Sequence, residues 1–165
     1  MPTRLRPATI SDIKQIFAWR NDPWIISLSS SQKQVSWEEH LEWFQDILIS
    51  NQHLLQIIEP QINIGAGLVR LDRMDEYQAQ ITIYLLREFT GQGMGVEAII
   101  SSCSFCFMVW SVHTINAYIR SENHPSISAF SKAGFINIEP SIDCPNDHCE
   151  LSFHRSQIDL RNKAI

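Results

Sequence analysis

Apolar positions along this chain switch between a period of two and a period near 3.6, and each switch marks an element. Arg4 to Ala8 reads as a short first strand. Ser11 stands where an N-cap would, and Ile13, Ile16, Phe17 and Arg20 follow at helical spacing until Asn21-Asp22-Pro23 breaks the helix. Ser36-Trp37-Glu38-Glu39 has the form of a capping box. It predicts a helix to about Ser50 with Trp37, Leu41, Phe44 and Leu48 on its apolar face and His40 and Trp43 on the flank. His53 to Glu59 and Ile64 to Arg73 read as strands joined by the turn Pro60 to Asn63, and so as a hairpin. Gln78 to Leu86 alternates, with Ile81, Ile83 and Leu85 on one face and Gln80, Thr82 and Tyr84 on the other. Behind a glycine-rich loop, Val96, Ile99, Ile100, Cys103, Phe107 and Trp110 form a helical stripe. Thr114 to Ile119, Phe135 to Pro140 and Cys149 to His154 read as strands, and Pro125 to Ala133 as a short helix. The expected fold is one domain over residues 1–165, α/β of the α+β type. Its largely antiparallel central sheet has about seven strands, flanked by about four helices.

The glycines fall mainly in one place. Thr90-Gly91-Gln92-Gly93-Met94-Gly95 holds three of the six glycines in the chain, between an alternating run and a helix. Glycine enters positive-φ conformations without steric penalty. Successive bare N–H groups in such a turn form an anion nest, to which the following helix adds its positive end. A phosphate group, most simply a pyrophosphate, is the natural guest. A dinucleotide fold would open on its glycine-bearing strand and place a ribose-binding acid about 20 residues further on. Here the glycines come late and only His113 precedes the next strand.

Composition narrows the classes. The net charge of −5, with no basic run, argues against a nucleic-acid surface. Ala98 to Val112 is uncharged apart from its neighbours, but too short to span a bilayer and interrupted by serines. Met1 to Pro7 carries arginines with no apolar run behind them, so no signal peptide is read. The cysteines lack metal-ligand spacing, and no metal is expected. Cys103 and Cys106 read as small core residues, and Cys144 and Cys149 as thiols kept reduced in the expected compartment, the cytoplasm. A monomer or homodimer acting without membrane or nucleic-acid partners is expected.

Two segments carry a family resemblance. Thr90-Gly91-Gln92-Gly93-Met94-Gly95-Val96-Glu97-Ala98 is similar to the acetyl-CoA signature of the GNAT superfamily, with Gly93 and Gly95 matching and Thr90 in place of the usual Arg or Gln. About thirty residues on, Asn123, Ser126, Phe130 and the closing Gly134-Phe135 resemble the family's later motif. Trp19-Arg20-Asn21-Asp22-Pro23, with Ser36 to Phe44, resembles the amino-sugar nucleotide acetyltransferases of bacterial surface-glycan pathways, the pseudaminic-acid type especially. The same layout occurs in ribosomal-protein N-terminal acetyltransferases. The resemblance implies acetyl-CoA as cosubstrate, a strand splayed from its neighbour before the loop, and acetyl transfer to a primary amine. Implied acetyl-CoA contacts are Ile83, Tyr84, Leu85, Thr90, Gly91, Gln92, Gly93, Met94, Gly95, Asn123, Ser126, Phe130 and Lys132. Asn123 also suits a helix N-cap before Pro125.

Attack of an amine on a thioester needs a deprotonated amine, a donor for the oxyanion and a proton for the thiolate. Many relatives place Glu where Gln80 stands and Tyr where Phe130 stands. Neither replacement does proton chemistry. A thiolate leaving near neutral pH costs only about 2 kcal/mol, and orienting two bound reactants supplies about 7–11 kcal/mol. The replacement candidates are Tyr84, Glu76 and His40, with Asp75 beside Glu76. The expected acceptor is a small primary amine, first that of an amino-sugar nucleotide. The alternatives are a protein N-terminal α-amine, or an acyl-CoA-binding module with little catalysis.

Overall fold

The structure, a computed structural model, describes residues 3–158. Its strands are β1 (Arg4–Pro7), β2 (His53–Glu59), β3 (Gly67–Arg73), β4 (Gln78–Leu85), β5 (Thr114–Arg120), β6 (Ile136–Ile138) and β7 (His148–His154). They form one sheet in the order β1-β2-β3-β4-β5-β7-β6, antiparallel throughout except for β4 against β5. The helices are α1 (Ile13–Arg20), α2 (Pro23–Leu28), α3 (Trp37–Ile49), α4 (Met94–Val109) and α5 (His124–Ala133). The mixed class and the seven-stranded sheet agree with the sequence. Among the described residues no helix is long and apolar enough to cross a membrane.

Two helix starts differ from the sequence reading. Thr9, not Ser11, opens the first helical region: Asp12 accepts the Thr9 N–H at 2.8 Å and a 3₁₀ turn over Ile10–Asp12 leads into α1. Asp22-Pro23 not only ends α1 but starts α2, which the pattern did not show. The Asp22 carboxylate accepts the Trp24 N–H at 2.8 Å, and Pro23 occupies the first turn, where its missing N–H costs nothing. The capping box at Ser36 and Glu39 forms as expected.

Alternation along the strands divides the helices into two layers. Val69, Leu71, Ala79, Ile81, Ile115, Ala117, Leu151 and Phe153 point to one face, where they meet Ala98, Ile99, Cys103, Cys106 and Phe107 of α4 and Phe130 and Ala133 of α5. Burial pushes the Cys106 thiol up to about 12, so it is an inert core residue, and all four cysteines are free. Arg155 ends α4 by donating to the carbonyls of Phe107, Trp110 and Val112 at 2.7–2.9 Å. On the opposite face Leu55, Ile57 and Leu68 meet Ile16 and Trp19 of α1 and Phe44 and Ile47 of α3.

The buried line of α3 is His40, Phe44 and Ile47; of the expected stripe only Phe44 is fully buried, with Trp37, Leu41 and Leu48 half-buried. The helix is turned because α1 as well as the sheet covers it. The Nε2–H of His40 donates to the Ile13 carbonyl at 2.8 Å. At the β1 end, Arg6 grips Asp12 through two 2.8 Å bonds and Glu59 through one of 2.7 Å, tying β1, β2 and the start of α1 together.

Candidate active site

The parallel pair β4–β5 is short. Gln78, Ala79 and Gln80 pair with Thr114, Ile115 and Asn116, and there the pairing stops. Beyond it β4 remains bonded to β3 as far as Leu85, and β5 to β7 as far as Arg120. The two strands therefore part, leaving a wedge-shaped gap in the sheet. Strand geometry says which groups face it. The Leu86 N–H donates to the Ala66 carbonyl on the β3 side at 2.9 Å. Backbone groups alternate in direction, so those of Thr82 and Tyr84 also turn toward β3, while the N–H groups of Ile83 and Leu85 turn into the gap. Unpaired amides inside a sheet need a guest or water.

The glycine loop closes the wide end of the gap. Gly91 and Gly93 have φ of 76° and 80°, and a Cβ at either would meet nothing within 4 Å. The need for glycine there is conformational, and the loop is open above. Gly93 is the N-cap of α4 and has no side chain to satisfy the first amides, so those amides face outward as an anion site. Thr90 turns away, its hydroxyl donating to the Arg87 carbonyl at 2.8 Å, and the Gln92 side chain donates to the Glu88 carbonyl at 2.9 Å. With Thr90 where the resemblance expects Arg or Gln, the loop offers an anion its main-chain amides and not a side chain at that position. Met94 is buried beneath it.

The α5 residues divide by role. The Asn123 carbonyl oxygen accepts the Ser126 N–H at 3.2 Å, so Asn123 caps the helix. Phe130 is in the core, 2% exposed, its ring edge-on to Phe135 at 4.9 Å. Lys132 is exposed in the last turn of α5, where a cation suits the helix dipole.

The face of the sheet opposite α4 is polar around the gap. By register it carries Gln80, Thr82 and Tyr84 of β4, Asn116, Tyr118 and Arg120 of β5, and His148, Glu150 and Ser152 of β7. The segment over α2 and the turn after it reaches across this face. At one end the Arg87 guanidinium stacks over the Trp24 ring at 5.4 Å. At the other the Ser30 hydroxyl lies 2.8 Å from His148 Nε2, and His148 Nδ1 donates to the Asp147 carboxylate at 2.7 Å. That hydrogen bond first, and then Arg120, hold the Asp147 carboxyl below its usual range. Glu150, 1% exposed, accepts the Ser141 N–H at 2.6 Å.

Arg20 ends α1 beneath the same cleft. Its guanidinium stacks over the Trp43 ring at 5.1 Å, close to Arg70 and Tyr84, and among the described residues no carboxylate lies within ion-pair distance. Burial, then the Arg70 charge, push its pKa down. The Tyr84 hydroxyl and Trp24 Nε1 are buried and unpartnered. Burial raises the Tyr84 phenol above its ordinary value, so it keeps its proton and serves as a donor.

The three proton-transfer candidates from the sequence do not gather in the cleft. Glu76 lies in the exposed turn before β4, about 20 Å from Ile83 at about 3.3 Å per residue, at the closed end of the gap. Asp75 caps that turn by accepting the N–H groups of Tyr77 and Gln78. His40 is 1% exposed among the rings of Phe17, Trp37, Trp43 and Phe44, and burial lowers its pKa, so it is a neutral structural residue. Of the three, only Tyr84 stands beside the gap. Ser30, Asp147, His148 and Glu150 have no role in the sequence reading, and Arg20 enters it only within the helical pattern and the Trp19 to Pro23 segment. The alternation of Asn116, Tyr118 and Arg120 against Ile115, Ala117 and Ile119 was the available signal for a polar face.

Comparison with known proteins agrees with this geometry. A family model described as Acetyltransferase (GNAT) domain matches residues 3–136. Acetyltransferase PseH of Campylobacter jejuni is 25% identical over 125 residues, covering 75% of this chain and 76% of that protein. An N-acetyltransferase 9-like protein of Nematostella vectensis is 26% identical over 150 residues, covering 83% and 76%. Among solved structures, a spermidine N-acetyltransferase from Vibrio cholerae in complex with CoA and spermine superposes with a TM-score of 0.80 at 20% identity, over 94% of this chain and 96% of that one. The aminoglycoside acetyltransferase AAC(6')-Ib in complex with coenzyme A gives 0.83 at 16% identity, over 97% and 99%.

Proposed function

The chain belongs to the GNAT acetyltransferase family and is an acetyl-CoA-dependent N-acetyltransferase; from that premise we propose that its acceptor is the primary amine of a nucleotide-linked amino sugar. The observation that carries this reading is Arg20. A half-buried guanidinium with no carboxylate at ion-pair distance among the described residues, beside a second arginine and an unpartnered phenol, fits an anionic group on the acceptor. A diphosphate supplies that charge. A polyamine or an aminoglycoside brings only cations to the same place. The resemblance of Trp19 to Pro23 and Ser36 to Phe44 to amino-sugar nucleotide acetyltransferases supports the same class.

In this reading the glycine-loop amides of Gly91 to Gly95 hold the pyrophosphate of coenzyme A, and the backbone of Ile83 to Leu85 holds the pantetheine arm in the gap. The gap-facing N–H of Ile83 or Leu85 stabilises the oxyanion as it forms. Asn123 and Ser126 line the α5 end. The acceptor enters from the polar face under α2, with its phosphates toward Arg20 and Arg70 and its amine toward β5 and β7.

The test is thiol release from acetyl-CoA with a panel of nucleotide amino sugars, polyamines, aminoglycosides and peptides with free N-termini. A nucleotide amino sugar should turn over fastest. Arg20→Gln should raise its KM by about tenfold and leave kcat within about twofold, the loss of one charge-assisted contact. Turnover confined to peptides would reject the sugar. A protein N-terminal amine is the second reading, favoured by the exposed carboxylates of Glu122 and Asp147 on the far wall, which suit a basic peptide.

A further inference from the structure

We propose that Ser30, His148 and Asp147 form a relay that takes the proton from the acceptor amine, replacing the carboxylate absent at Gln80. The three groups are in line. The Asp147 carboxylate can only accept, so His148 Nδ1 donates to it across 2.7 Å. In the neutral ring this leaves Nε2 as the acceptor for the Ser30 hydroxyl at 2.8 Å. The His148 side chain is 2% exposed, whereas Ser30 and Asp147 are exposed, so a ligand reaches Nε2 of the ring through the Ser30 hydroxyl.

Location supports a role in transfer. His148 pairs with Arg120 in register, on the sheet face that carries Thr82, Tyr84 and Tyr118 and beyond the point where β4 and β5 part. Ser30 comes from the turn after α2, 118 residues away, and overhangs that face. The charged and titratable groups facing the ring are Asp147, Arg120 (itself near Asp147 and Glu122) and Glu150 two residues along the strand. The Cys144 thiol packs on the His148 carbonyl.

The step balances without another reactant. As the neutral amine attacks the thioester carbon, a C–N bond forms and the nitrogen becomes cationic. One N–H proton passes to Ser30 Oγ while the Ser30 O–H proton passes to His148 Nε2, and Asp147 stabilises the resulting imidazolium. Collapse of the adduct breaks the C–S bond with its electron pair on sulfur. The proton on Nε2 then goes to that thiolate or to water, which restores the neutral ring. The proposal rests on the acetyltransferase chemistry and not on the choice of acceptor.

The experiment measures kcat and kcat/KM against pH for wild type, His148→Gln, Ser30→Ala, Ser30→Thr and Asp147→Asn, using whichever panel amine wild type acetylates fastest. A wrong sugar assignment would change the amine assayed but not the ratios between variants. Calorimetry with acetyl-CoA on every variant confirms that the fold and cosubstrate site are retained. Glutamine keeps a side-chain amide for Ser30 but takes no proton. The relay predicts that His148→Gln lowers kcat by about 100-fold with KM within about threefold and removes the acid limb of the profile. Ser30→Ala should lose about tenfold, and Ser30→Thr should recover most of it, because the hydroxyl is what matters. If the His148→Gln profile keeps the wild-type shape, or if only KM moves, the three residues merely pin the turn after α2 to β7 and the proposal is overturned.

Discussion

The two ends of the sheet treat the same alternation differently. At the β2–β3 end both faces are apolar: Leu55, Ile57 and Leu68 meet α1 and α3, while Ile58, Val69 and Leu71 belong to the core under α4. At the β5–β7 end only one face is apolar. Ile115, Ala117, Leu151 and Phe153 are buried, and their neighbours Asn116, Tyr118, Arg120, His148 and Glu150 face the cleft. Buried polar groups without a partner occur at both ends, and the difference lies in the charged ones. At the covered end Arg6, Asp12 and Glu59 satisfy one another, although Gln56 Oε1 and His40 Nδ1 there have no partner. Near the gap, among the described residues, Arg20 has no ion pair and the Tyr84 hydroxyl, Trp24 Nε1 and Asn116 Oδ1 have no partner. Native structures seldom leave such groups unmatched, and what sets the gap apart is charge: the Arg20 guanidinium beside Arg70 supports the acceptor site proposed above.

The sharpest way to break this comparison is a carboxylate at two adjacent positions of β4. Ile81 is 2% exposed on the α4 face, so Ile81→Asp buries an unpaired charge and should cost more than about 4 kcal/mol, leaving little folded protein. Thr82 is exposed on the cleft face with Arg70 opposite it, so Thr82→Asp should change stability by less than about 1 kcal/mol. Urea unfolding of both measures the difference. Equal losses would mean that the cleft face is core.

Gly93→Val probes the loop. A β-branched residue at φ 80° is strained by about 1–3 kcal/mol, yet its Cβ would meet nothing within 4 Å. The acetyl-CoA Kd should rise about 30-fold in calorimetry while the protein stays folded.

The smallest effect concerns the covered end. The Arg6 hydrogen bonds hold the Asp12 carboxyl below its ordinary range. A depressed folded pKa contributes stability that is fully present above the unfolded value, near ~3.9, and lost as pH falls through the folded one. Asp12→Asn should cost about 1–2 kcal/mol at pH 7, since Arg6 keeps Glu59. Urea midpoints of variant and wild type should begin to approach each other only as pH falls below about 4 and meet below the depressed folded pKa of Asp12. A gap that persists at low pH would show that Asp12 acts through packing and not through its charge.

Much of the fold was legible in single elements. The strand-like runs, alternating most clearly at Gln78 to Leu86, located the seven strands to within a few residues, and the glycine cluster located the start of α4. Helix α2 was missed because Asp22-Pro23 reads equally as a stop and a start, and six residues are too few for a periodic signal. The nest was legible because positive φ is a local demand that only glycine meets cheaply. The proton-transfer candidates were not, because Glu76 and His40 were chosen by residue type alone. Distance along β4 removed the first and the packing of α1 on α3 buried the second.

The chain by itself determined its strands, its glycine turn and the alternation that separates core from cleft on β4 and β5, since each of these is set by residues within a few positions of one another. Tertiary structure alone decided that β4 and β5 part after Gln80 and Asn116, that Arg20 forms no ion pair among the described residues, and that Ser30 meets His148 across 118 residues. Those facts depend on how separate segments pack, and no local preference carries that information.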